Sequence, residues 1–341
     1  MSSPNGKYPF FTCSRETLHI DSYSFDCEAI LIAGNGDIGH TKYYSGKFDA
    51  YQRTYVLHKF QECAHFFQCA IDKYLPIKVR METQGGAMSF IKLSTLQELL
   101  LPIPHSDEQQ KIAKFISLLD SRIDAQRKLV ELLKKHKRGL HSAIFGQKCR
   151  VVNADGKPWP AWRQARIGDI FQERSERGGT ADELLSVTIN NGVKRQADTD
   201  KKDSSSEDKS NYKKVLPGDI VYNTMRMWQG ASGVSPWAGI VSPAYTVIYP
   251  RGRQNTIFWA YAFKYWRLIQ EFQKFSQGLT SDTWNLKYPQ LSDIHVYEPS
   301  MDEQEAIVDI LSLLDERVSA AEQELNKMRN LKSGLLQQLF V

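Results

Sequence analysis

Three glycines with the G-x-G-x-x-G spacing of a dinucleotide-binding turn follow an apolar run near the N-terminus. They are Gly34, Gly36 and Gly39, and Ala33 separates the first of them from the apolar run at residues 29–32. In dinucleotide-binding proteins such a turn opens a helix whose N-terminus holds the pyrophosphate. Here the next residues, HTKYYSGKFDAYQRTYVL, are rich in Tyr, Thr and Val and predict strands with a turn at Ser45-Gly46. The motif therefore predicts a hairpin or loop in which glycine supplies positive φ.

The polar side chains on this loop, and on a second loop in the matching place of the second half, are of kinds that contact nucleic acid. Amide and guanidinium groups read base edges, and basic groups grip phosphates. For a single residue a solvated polar loop is the simpler interpretation. Because the two loops recur in matched positions, together they predict two DNA-contacting surfaces. The candidate DNA-binding residues are Asn35, Asp37, His40, Lys42, Tyr44, Lys47, Gln52, Arg53, Asn223, Arg226, Trp228 and Gln229.

Candidate catalytic sites are incomplete throughout the chain. It has no Asn/Asp-Pro-Pro-aromatic stretch of a methyltransferase and no G-x-x-x-x-G-K-[ST] loop for ATP. Asp26 and Glu28 lie close in sequence, but nothing completes the metal-binding set of a nuclease. Cys63 and Cys69 near His65 suggest zinc, yet no second ligand cluster completes a tetrahedral site. The chain is therefore predicted to be non-catalytic, with no metal or cofactor of its own.

Length and composition are those of an ordinary globular protein of two domains. The chain has 341 residues, of which 41% are hydrophobic and 24% charged. It has no apolar run long enough for a membrane span and no signal segment, and its five cysteines form no C-x-x-C pair. These features predict that the chain lies in a reducing cytoplasm and has no disulfide framework. The net charge of +5 permits a polyanionic partner without requiring one.

One long segment occurs twice in the chain. DEQQKIAKFISLLDSRIDAQRKLVELLKKHKRGLHSAIF begins at Asp107 and DEQEAIVDILSLLDERVSAAEQELNKMRNLKSGLLQQLF at Asp302, and the two align without a gap. Both carry seam positions in alternating steps of four and three, which indicates a helix that packs along another helix. We expect each helix to pair with the other; pairing between two copies of the chain is the alternative. The seam residues are Ile112, Ile116, Leu119, Ile123, Leu133, Leu140, Ile307, Leu311, Leu314, Val318, Leu325 and Leu335.

Other features of the two helices also correspond. Lys137 and Lys332 interrupt the two seams at the same point, which indicates a shared geometry. Ser106 and Ser300 lie just before acidic first turns and predict capped helix starts. A basic cluster occurs only on the first helix and could face either DNA or solvent. Its members are Arg127, Lys128, Lys134, Lys135, Lys137 and Arg138.

The segments before the two helices correspond more loosely and are rich in strand-forming residues. The predicted fold class is therefore α+β, in the order β-rich domain, long helix, β-rich domain, long helix, with a pseudo-two-fold relation between the halves. The predicted boundaries are 1–104 for the first domain, 105–148 for the first helix, 149–299 for the second domain and 300–341 for the second helix.

In this order the features resemble the DNA-specificity subunit of type I restriction-modification systems. The shared marks are P-x-x-x-EQ-x-x-I at residues 104–112 and 299–307, followed by Leu-Leu-Asp at 118–120 and 313–315. The stretches YPFFTCS, LIAGNGDIG and KFDAYQRTYVL are similar to the first target-recognition domains of that family. The similarity extends over nearly the whole chain.

The resemblance implies a DNA reader that does no chemistry itself. Each β-rich domain would be a target-recognition domain that reads one half of a split, asymmetric site in the major groove of double-stranded DNA. The two helices would form an antiparallel coiled coil, fix the gap between the half-sites and dock two copies of the adenine methyltransferase subunit. Translocase-endonuclease subunits would join that core. S-adenosylmethionine, and ATP with Mg²⁺ for restriction, would belong to those partners, and no membrane would be involved.

The first domain departs from its partner copy. The second begins with PWPAWRQARIGDIF from Pro158, whereas the first begins almost at once with YPFFTCS. The first domain is thus expected to be shorter at its N-terminus, by about twenty residues of ordinary domain structure. The alternatives to a working reader are a non-catalytic coiled-coil scaffold that binds only protein, and an inactive, truncated remnant of a specificity subunit.

Overall fold

The chain divides into two compact units. A computed structural model describes residues 3, 5–82, 90–153, 155–179, 182–189, 192–199, 208–280 and 283–340. Unit 1 combines Met1–Val130 with Ala320–Val341, and unit 2 is Glu131–Ser319. Each unit therefore contains a part of both long helices.

Unit 1 is built on a five-stranded sheet. Its elements are β1 (Tyr8–Phe11), β2 (Thr17–Ile20), β3 (Phe25–Ala33), β4 (Thr41–Ala50), β5 (Thr54–His58), α1 (Ala64–Glu82), α2 (Leu93–Gln97) and the first part of the long helix α3 (Ser106–Phe145). The strand order is β2-β1-β4-β3-β5, and all neighbours are antiparallel except β1 and β4. Side chains of β3 alternate between the two faces. Ile30 and Ile32 cluster with Leu75 of α1, whereas Leu31 clusters with Phe48 on the other face.

Unit 2 is built on a four-stranded antiparallel sheet with shorter strand pairs around it. Its elements are β6 (Arg163–Arg166), α4 (Ile167–Ile170), β7 (Phe171–Glu173), β8 (Leu185–Thr188), β9 (Gly192–Arg195), β10 (Lys213–Val215), β11 (Ile220–Asn223), β12 (Ser232–Val234), β13 (Gly239–Val241), β14 (Tyr245–Pro250), α5 (Thr256–Ala262), α6 (Trp266–Phe275), α7 (Tyr288–Ser292), β15 (His295–Glu298) and the first part of the long helix α8 (Met301–Leu339). The main sheet has the order β12-β11-β14-β7, and the pairs are β10–β13, β15–β6 and β8–β9. Both units are thus mixtures of strands and helices, as the α+β prediction requires.

The same hydrogen bond precedes both long helices. Gln109 Nε2 donates to the Pro104 carbonyl oxygen at 3.0 Å, and Gln304 Nε2 donates to the Pro299 carbonyl oxygen at 3.1 Å. Both glutamines are buried, each about 1% exposed. A buried carbonyl oxygen without a partner would destabilise the fold. The repeated P-x-x-x-EQ spacing therefore has a physical cause, because the glutamine satisfies the proline carbonyl and ties the preceding turn to the helix.

We expect Gln304→Ala to lower the free energy of unfolding by about 1–3 kcal/mol, since it leaves buried polar groups without partners. Besides the proline bond, Gln304 Nε2 donates to Gln254 Oε1 at 3.0 Å, and Gln304 Oε1 accepts from the Asn255 backbone N–H at 3.0 Å. Gln109→Ala is the matched control. Gln109 Nε2 also donates to Glu62 Oε2 at 3.3 Å. Within the described part of the chain the buried Gln109 Oε1 has no hydrogen-bond partner, so removal of Gln109 should cost less. Denaturant unfolding measures both variants, and equal losses would contradict this explanation.

The predicted cap is confirmed for one long helix and wrong for the other. Ser300 precedes α8, and its Oγ accepts from the Glu303 backbone N–H at 3.4 Å. Ser106 is instead the first residue of α3, and the Gln109 backbone N–H donates to the His105 carbonyl oxygen at 3.0 Å. The gapless repeat explains the error, because the residue that corresponds to Ser300 is His105 and not Ser106.

The two long helices contact each other within unit 1. Gln126 Nε2 donates to the Ala321 carbonyl oxygen at 3.0 Å, and Lys332 Nζ donates to Asp120 Oδ1 at 2.5 Å. From the first contact to the second, the residue number falls on α3 and rises on α8. The helical segments of unit 1 therefore run antiparallel.

The lysines that interrupt the two seams bind the aspartates of the two Leu-Leu-Asp stretches. Lys332 pairs with Asp120 in unit 1, and Lys137 pairs with Asp315 in unit 2. All four residues are partly buried at these contacts. The repeat alignment places the lysines in equivalent positions and the aspartates in equivalent positions, so each unit uses the same ion pair. The lysine that interrupts each apolar seam thus forms an ion pair with an aspartate, at equivalent positions in the two units.

The predicted seam residues all lie on the inward side of their helices. Each of them is buried or half-buried, whereas most residues between them are exposed. α3 spans Ser106–Phe145 and α8 spans Met301–Leu339, close to the predicted helix limits. Continuous coiled-coil packing along the helices and the four domain boundaries stay predictions.

A phenylalanine in the same repeat position anchors the C-terminal end of each long helix. In unit 1, Phe340 stacks on Phe66 of α1 with ring centroids 5.3 Å apart. In unit 2, Phe145 packs on Phe258 of α5 with ring centroids 5.4 Å apart. The sequence analysis did not predict α1 or α5. The signal that it missed is a shared Phe-x-x-x-Ala spacing at residues 66–70 and 258–262.

Candidate nucleic-acid interface

The three glycines lie in the hairpin loop that joins the antiparallel strands β3 and β4, as predicted. Gly36 and Gly39 have φ values of +63° and +77°, which favour glycine. A Cβ on Gly34 would lie 2.5 Å from the Arg53 carbonyl oxygen, so this position requires close backbone approach. The element after the loop is a strand, which offers no helix N-terminus for a pyrophosphate.

The turn predicted at Ser45-Gly46 is wrong. Both residues lie inside β4, where they face Glu28 and Cys27 of β3. Gly46 has a φ of +131°, and glycine adopts this conformation without leaving the strand. Glycine is common both in turns and in irregular strands, so the presence of a glycine alone does not distinguish a turn from a strand.

His40, Lys42 and Tyr44 come together in an open groove of about 480 Å³ in unit 1. We call it groove A. Its lining also includes Arg15, which the sequence analysis did not select, because Arg15 is distant in sequence from the glycine loop. The residues of groove A are Pro9, Phe11, Arg15, Thr17, His40, Thr41, Lys42, Tyr43 and Tyr44.

Positive charge dominates groove A. Lys42 Nζ donates to the Glu16 carbonyl oxygen at 3.0 Å, and burial lowers the pKa of Lys42. Burial also lowers the pKa of His40, and the positive charges of Lys42 and Arg15 lower it further. Because the pKa of His40 lies below its usual value, the imidazole is neutral at pH 7. A neutral ring offers one hydrogen-bond donor and one acceptor. Asp37 forms an ion pair with Arg15 at 3.8 Å.

Tyr44 also has a structural role in groove A. Its ring centroid lies 5.3 Å from that of Phe11 and 5.7 Å from that of Phe48. Phe11 and Phe48 belong to the core of unit 1. Part of the Tyr44 ring therefore packs against the core, and the phenol end is the part that could contact DNA.

The other predicted residues of unit 1 lie outside groove A. Gln52 and Arg53 line a separate cavity of about 340 Å³ together with Tyr55 and Phe90. Lys47 lies over the Tyr23 ring, 4.6 Å from its centroid. The remaining two, Asn35 and Asp37, lie in the glycine loop itself without lining either cavity.

The candidate loop of unit 2 spans residues 223–231 and is held by hydrogen bonds. The Arg226 backbone N–H donates to the Asn223 carbonyl oxygen at 3.0 Å, and Gly230 has a φ of +80°. Lys264 also holds the loop in place. Its Nζ donates to the Gly230 carbonyl oxygen and to the Ser232 carbonyl oxygen, the latter at 3.0 Å. Burial lowers the pKa of Lys264 to about 8. The loop conformation is therefore set before any ligand binds.

Asn223 and Arg226 share a cavity of about 300 Å³, which we call groove B. Among its lining residues Ser186, Gln196 and Tyr245 carry further polar groups that the sequence analysis did not select. Tyr245 faces Asn223 across the β11–β14 pair, and only the strand register shows this. The full lining is Leu184, Leu185, Ser186, Gln196, Tyr212, Asn223, Met225, Arg226, Ser242, Ala244 and Tyr245.

The two remaining candidates of unit 2 lie beside groove B. Trp228 Nε1 donates to the Met225 carbonyl oxygen at 3.1 Å, and its ring packs edge-on against Trp284 with centroids 5.2 Å apart. Gln229 is exposed. Trp228 thus stabilises the loop, whereas Asn223 and Arg226 line groove B. The Asn223 Oδ1 accepts from the Met225 backbone N–H at 3.0 Å.

Grooves A and B suit an extended polar ligand. Groove A is lined mainly by strands β1, β2 and β4, and groove B mainly by loops and strand ends. Both combine charged with amide, hydroxyl or ring groups, the set that reads base edges and phosphates. Across the described residues no group of three or more His, Cys, Asp or Glu side chains could hold a metal ion. Nor does the described part of the chain contain a helix that is long and apolar enough to cross a membrane.

Known proteins resemble this chain over most of its length or over part of it. The family model "Type I restriction modification DNA specificity domain" matches residues 2–135 and 161–329. The type I restriction enzyme EcoDI specificity subunit of Escherichia coli is 24% identical over 379 residues, covering 98% of this chain and 82% of that protein. A putative type I restriction enzyme MjaX specificity subunit of Methanocaldococcus jannaschii is 34% identical over 99 residues, 29% of this chain and 20% of that protein.

Solved structures share the fold. The S subunit of a type I restriction-modification system from M. genitalium superposes with a TM-score of 0.63 at 18% identity, covering 100% of this chain and 90% of that one. A chain from a study of complex assembly in a type I R-M system gives a TM-score of 0.58 at 15% identity, with 99% and 92% covered. Because the family model matches most of the sequence, in two separate segments, the chain belongs to the family of type I restriction-modification DNA specificity subunits.

Proposed function

We propose that this specificity subunit reads a bipartite, asymmetric site in double-stranded DNA. Specificity subunits of this family recognise DNA sequence and are non-catalytic, so the chain is not itself an enzyme. In our proposal unit 1 reads one half of the site through groove A and unit 2 reads the other half through groove B. The long helices α3 and α8 then fix the gap between the halves as an antiparallel coiled coil.

The observation that carries this proposal is the duplication of both parts. The family model matches the chain twice, and each match contains one of the two polar grooves. The grooves differ in their residues: groove A has Arg15, His40 and Lys42, whereas groove B has Asn223 and Arg226. Two different readers on one chain support a site with two different halves.

The partners follow from the same proposal. The chain would dock two copies of the adenine methyltransferase subunit, and translocase-endonuclease subunits would join that core in the cytoplasm. S-adenosylmethionine, and ATP with Mg²⁺ for restriction, would bind to those subunits and not to this chain. The candidate residues for DNA contact are those that line grooves A and B, together with Gln52 and Arg53 at their separate cavity.

We expect Arg226→Ala to weaken binding of one half-site only, by about 1–3 kcal/mol if the guanidinium contacts a base in bidentate fashion. The measurement is the affinity of the assembled methyltransferase complex for duplexes that carry base changes in one half or the other. Arg253→Ala is the control, since Arg253 is exposed in the same unit, pairs with Glu305 at 3.7 Å and does not line groove B.

An equal loss on every duplex, with a weaker salt dependence, would identify Arg226 as a phosphate contact instead. Unchanged affinity for all duplexes would contradict the assignment of groove B to DNA. The alternatives, a scaffold that binds only protein and an inactive remnant, both predict no sequence-dependent affinity for the complex.

A further inference from the structure

One segment of unit 2 closes two strand edges. Residues 163–173 form β6, α4 and β7, and we call them the covering segment. β6 pairs with β15, and β7 pairs with β14. α4 lies on α7 so closely that a Cβ on Gly168 would lie 2.9 Å from the Ser292 Cβ. In the part of unit 1 that the structure describes, no strand corresponds to β6 or β7.

Both of these edges are open in unit 1. β5 corresponds to β14, because each pairs antiparallel with the strand before the candidate loop and each ends the same distance before the Phe-x-x-x-Ala spacing. β5 is the outermost strand of its sheet. Residues 100–103 correspond to β15, since the gapless repeat extends upstream through the equivalent helices α2 and α7. Among the described residues the backbone N–H groups of Leu101 and Ile103 donate no hydrogen bond.

Pro102 fits an edge that pairs on one side. Hydrogen-bonded and non-bonded positions alternate along antiparallel strands. The Ile167 backbone N–H donates to the Ile294 carbonyl oxygen at 2.9 Å, so every second residue of β15 after Ile294 bonds to β6, and Tyr297 does not. Pro102 is the counterpart of Tyr297, so the N–H that proline lacks is one that pairing does not need. The N–H group of Ile103 lies at a position that pairing does need.

Apolar residues beneath the covering segment are more buried than their counterparts in unit 1. In unit 2 they share a core cluster with Ile167 and Ile170 of α4 and are at most 5% exposed: Leu291, Ile294 and Val296. Their counterparts in unit 1, which we call the open face, are half-buried: Leu96, Leu99 and Leu101. Tyr55 and Leu57 of β5 pack on the same cluster as the open face. Ile91 of that cluster and its counterpart Leu286 are 2% and 0% exposed, so the core beside the open face is equally buried in both units.

We propose that unit 1 binds an extended segment of another protein across the open face, as an added strand along residues 100–103. The chain contains one covering segment and two faces of this kind. A second copy of the chain could donate its covering segment only by opening its own unit 2. A different protein is therefore the occupant. The site shares no residue with groove A or groove B.

The residues of unit 1 define the chemistry of the bound segment. It would run antiparallel to the open edge and place two isoleucines on the open face, as Ile167 and Ile170 do in unit 2. It would differ from the covering segment at one position. Arg163 forms an ion pair with Glu298, but the counterpart of Glu298 is Ile103, which is 58% exposed. The segment that fits unit 1 therefore carries an apolar residue in place of Arg163.

The test is the binding of a synthetic peptide of residues 159–173, with Arg163→Leu, to the full chain, measured by fluorescence anisotropy. We expect saturable binding of one peptide per chain. Ile103→Pro should weaken the affinity by about tenfold or more, because it removes a backbone donor that strand pairing needs. Leu100→Arg is the matched control. Leu100 is 89% exposed and corresponds to the exposed His295, so the affinity should stay the same.

A changed peptide gives a second control that uses the unchanged chain. Ile167→Asp with Ile170→Asp would place two carboxylates on the open face, so this peptide should not bind. Equal binding of the two peptides, equal affinities of the Ile103→Pro and Leu100→Arg chains, or no peptide binding at all would each overturn the proposal. Sedimentation velocity tests the other occupant. A chain that dimerises by itself and that the peptide dissociates would identify a second copy and also overturn the proposal.

Discussion

Inserting one heptad into each long helix should lengthen the gap between the two halves of the recognised site by about three base pairs. Seven helical residues add about 10 Å at 1.5 Å each, and a base pair of B-DNA occupies about 3.4 Å. The insertions belong after Val130 in α3 and after Ser319 in α8, where the two units meet in sequence. A whole heptad keeps the seam on the same face.

Matched insertions leave the contacts inside each unit unchanged. Gln126 and Lys332 keep their partners in unit 1, and Lys137 keeps Asp315 in unit 2. An insertion into α3 alone is the control. It shifts one helix against the other, so we expect loss of methylation and not a new gap. Mapped methylation sites report both results, and an unchanged gap in the doubly lengthened chain would show that the helices do not set it.

Asp219→Ala should destabilise unit 2 by about 3–5 kcal/mol, because it removes the bidentate carboxylate of a buried guanidinium. Arg174 then keeps only the exposed Glu176, whose Oε1 accepts from its Nη1 at 3.1 Å. Arg174 is 9% exposed and Asp219 3%. Their two hydrogen bonds are bidentate, from Nε to Oδ2 at 2.8 Å and from Nη2 to Oδ1 at 3.0 Å. Asp219 Oδ2 also accepts from the Leu216 backbone N–H at 2.8 Å. Asp219 directly precedes β11, the strand that ends at Asn223, so readout by groove B should be lost as well.

Glu183→Ala is the control for this substitution. Glu183 pairs with Arg195 at 3.2 Å, but the two side chains are 42% and 44% exposed. Exposed pairs contribute little, so the expected loss is about 1 kcal/mol or less. Thermal unfolding of the two variants measures the difference. If Asp219→Ala unfolds at the same temperature as Glu183→Ala, the buried pair does not hold unit 2 together.

The long helices were the most predictable part of the fold. Their signal is a repeated period that continues over the whole length of each helix, and helices depend mainly on nearby residues. The same alignment placed Lys137 and Lys332 in equivalent positions before any contact was known. It could not name Asp120 and Asp315 as their partners, because a seam pattern does not fix the register of two helices against each other.

The candidate site was only partly predictable, because strand pairing brings distant residues together. Asn223 and Arg226 were selected from their loop, but Tyr245 reaches groove B through the β11–β14 register. Arg15 reaches groove A in the same way, from outside the glycine loop. Lys47 carries suitable chemistry in the right stretch, yet it lies over Tyr23 and outside the groove. Residue type alone did not distinguish the residues that line a groove from those that lie outside it.

The most direct test of the central claim is to map methylated adenines by long-read sequencing after co-expression of this chain with its methyltransferase subunit. We expect a split motif with two different halves and one fixed gap. Arg226→Ala should relax the motif in one half while the other half and the gap stay the same. A palindromic or undivided motif, or a stable complex that methylates no defined site, would contradict a bipartite reader.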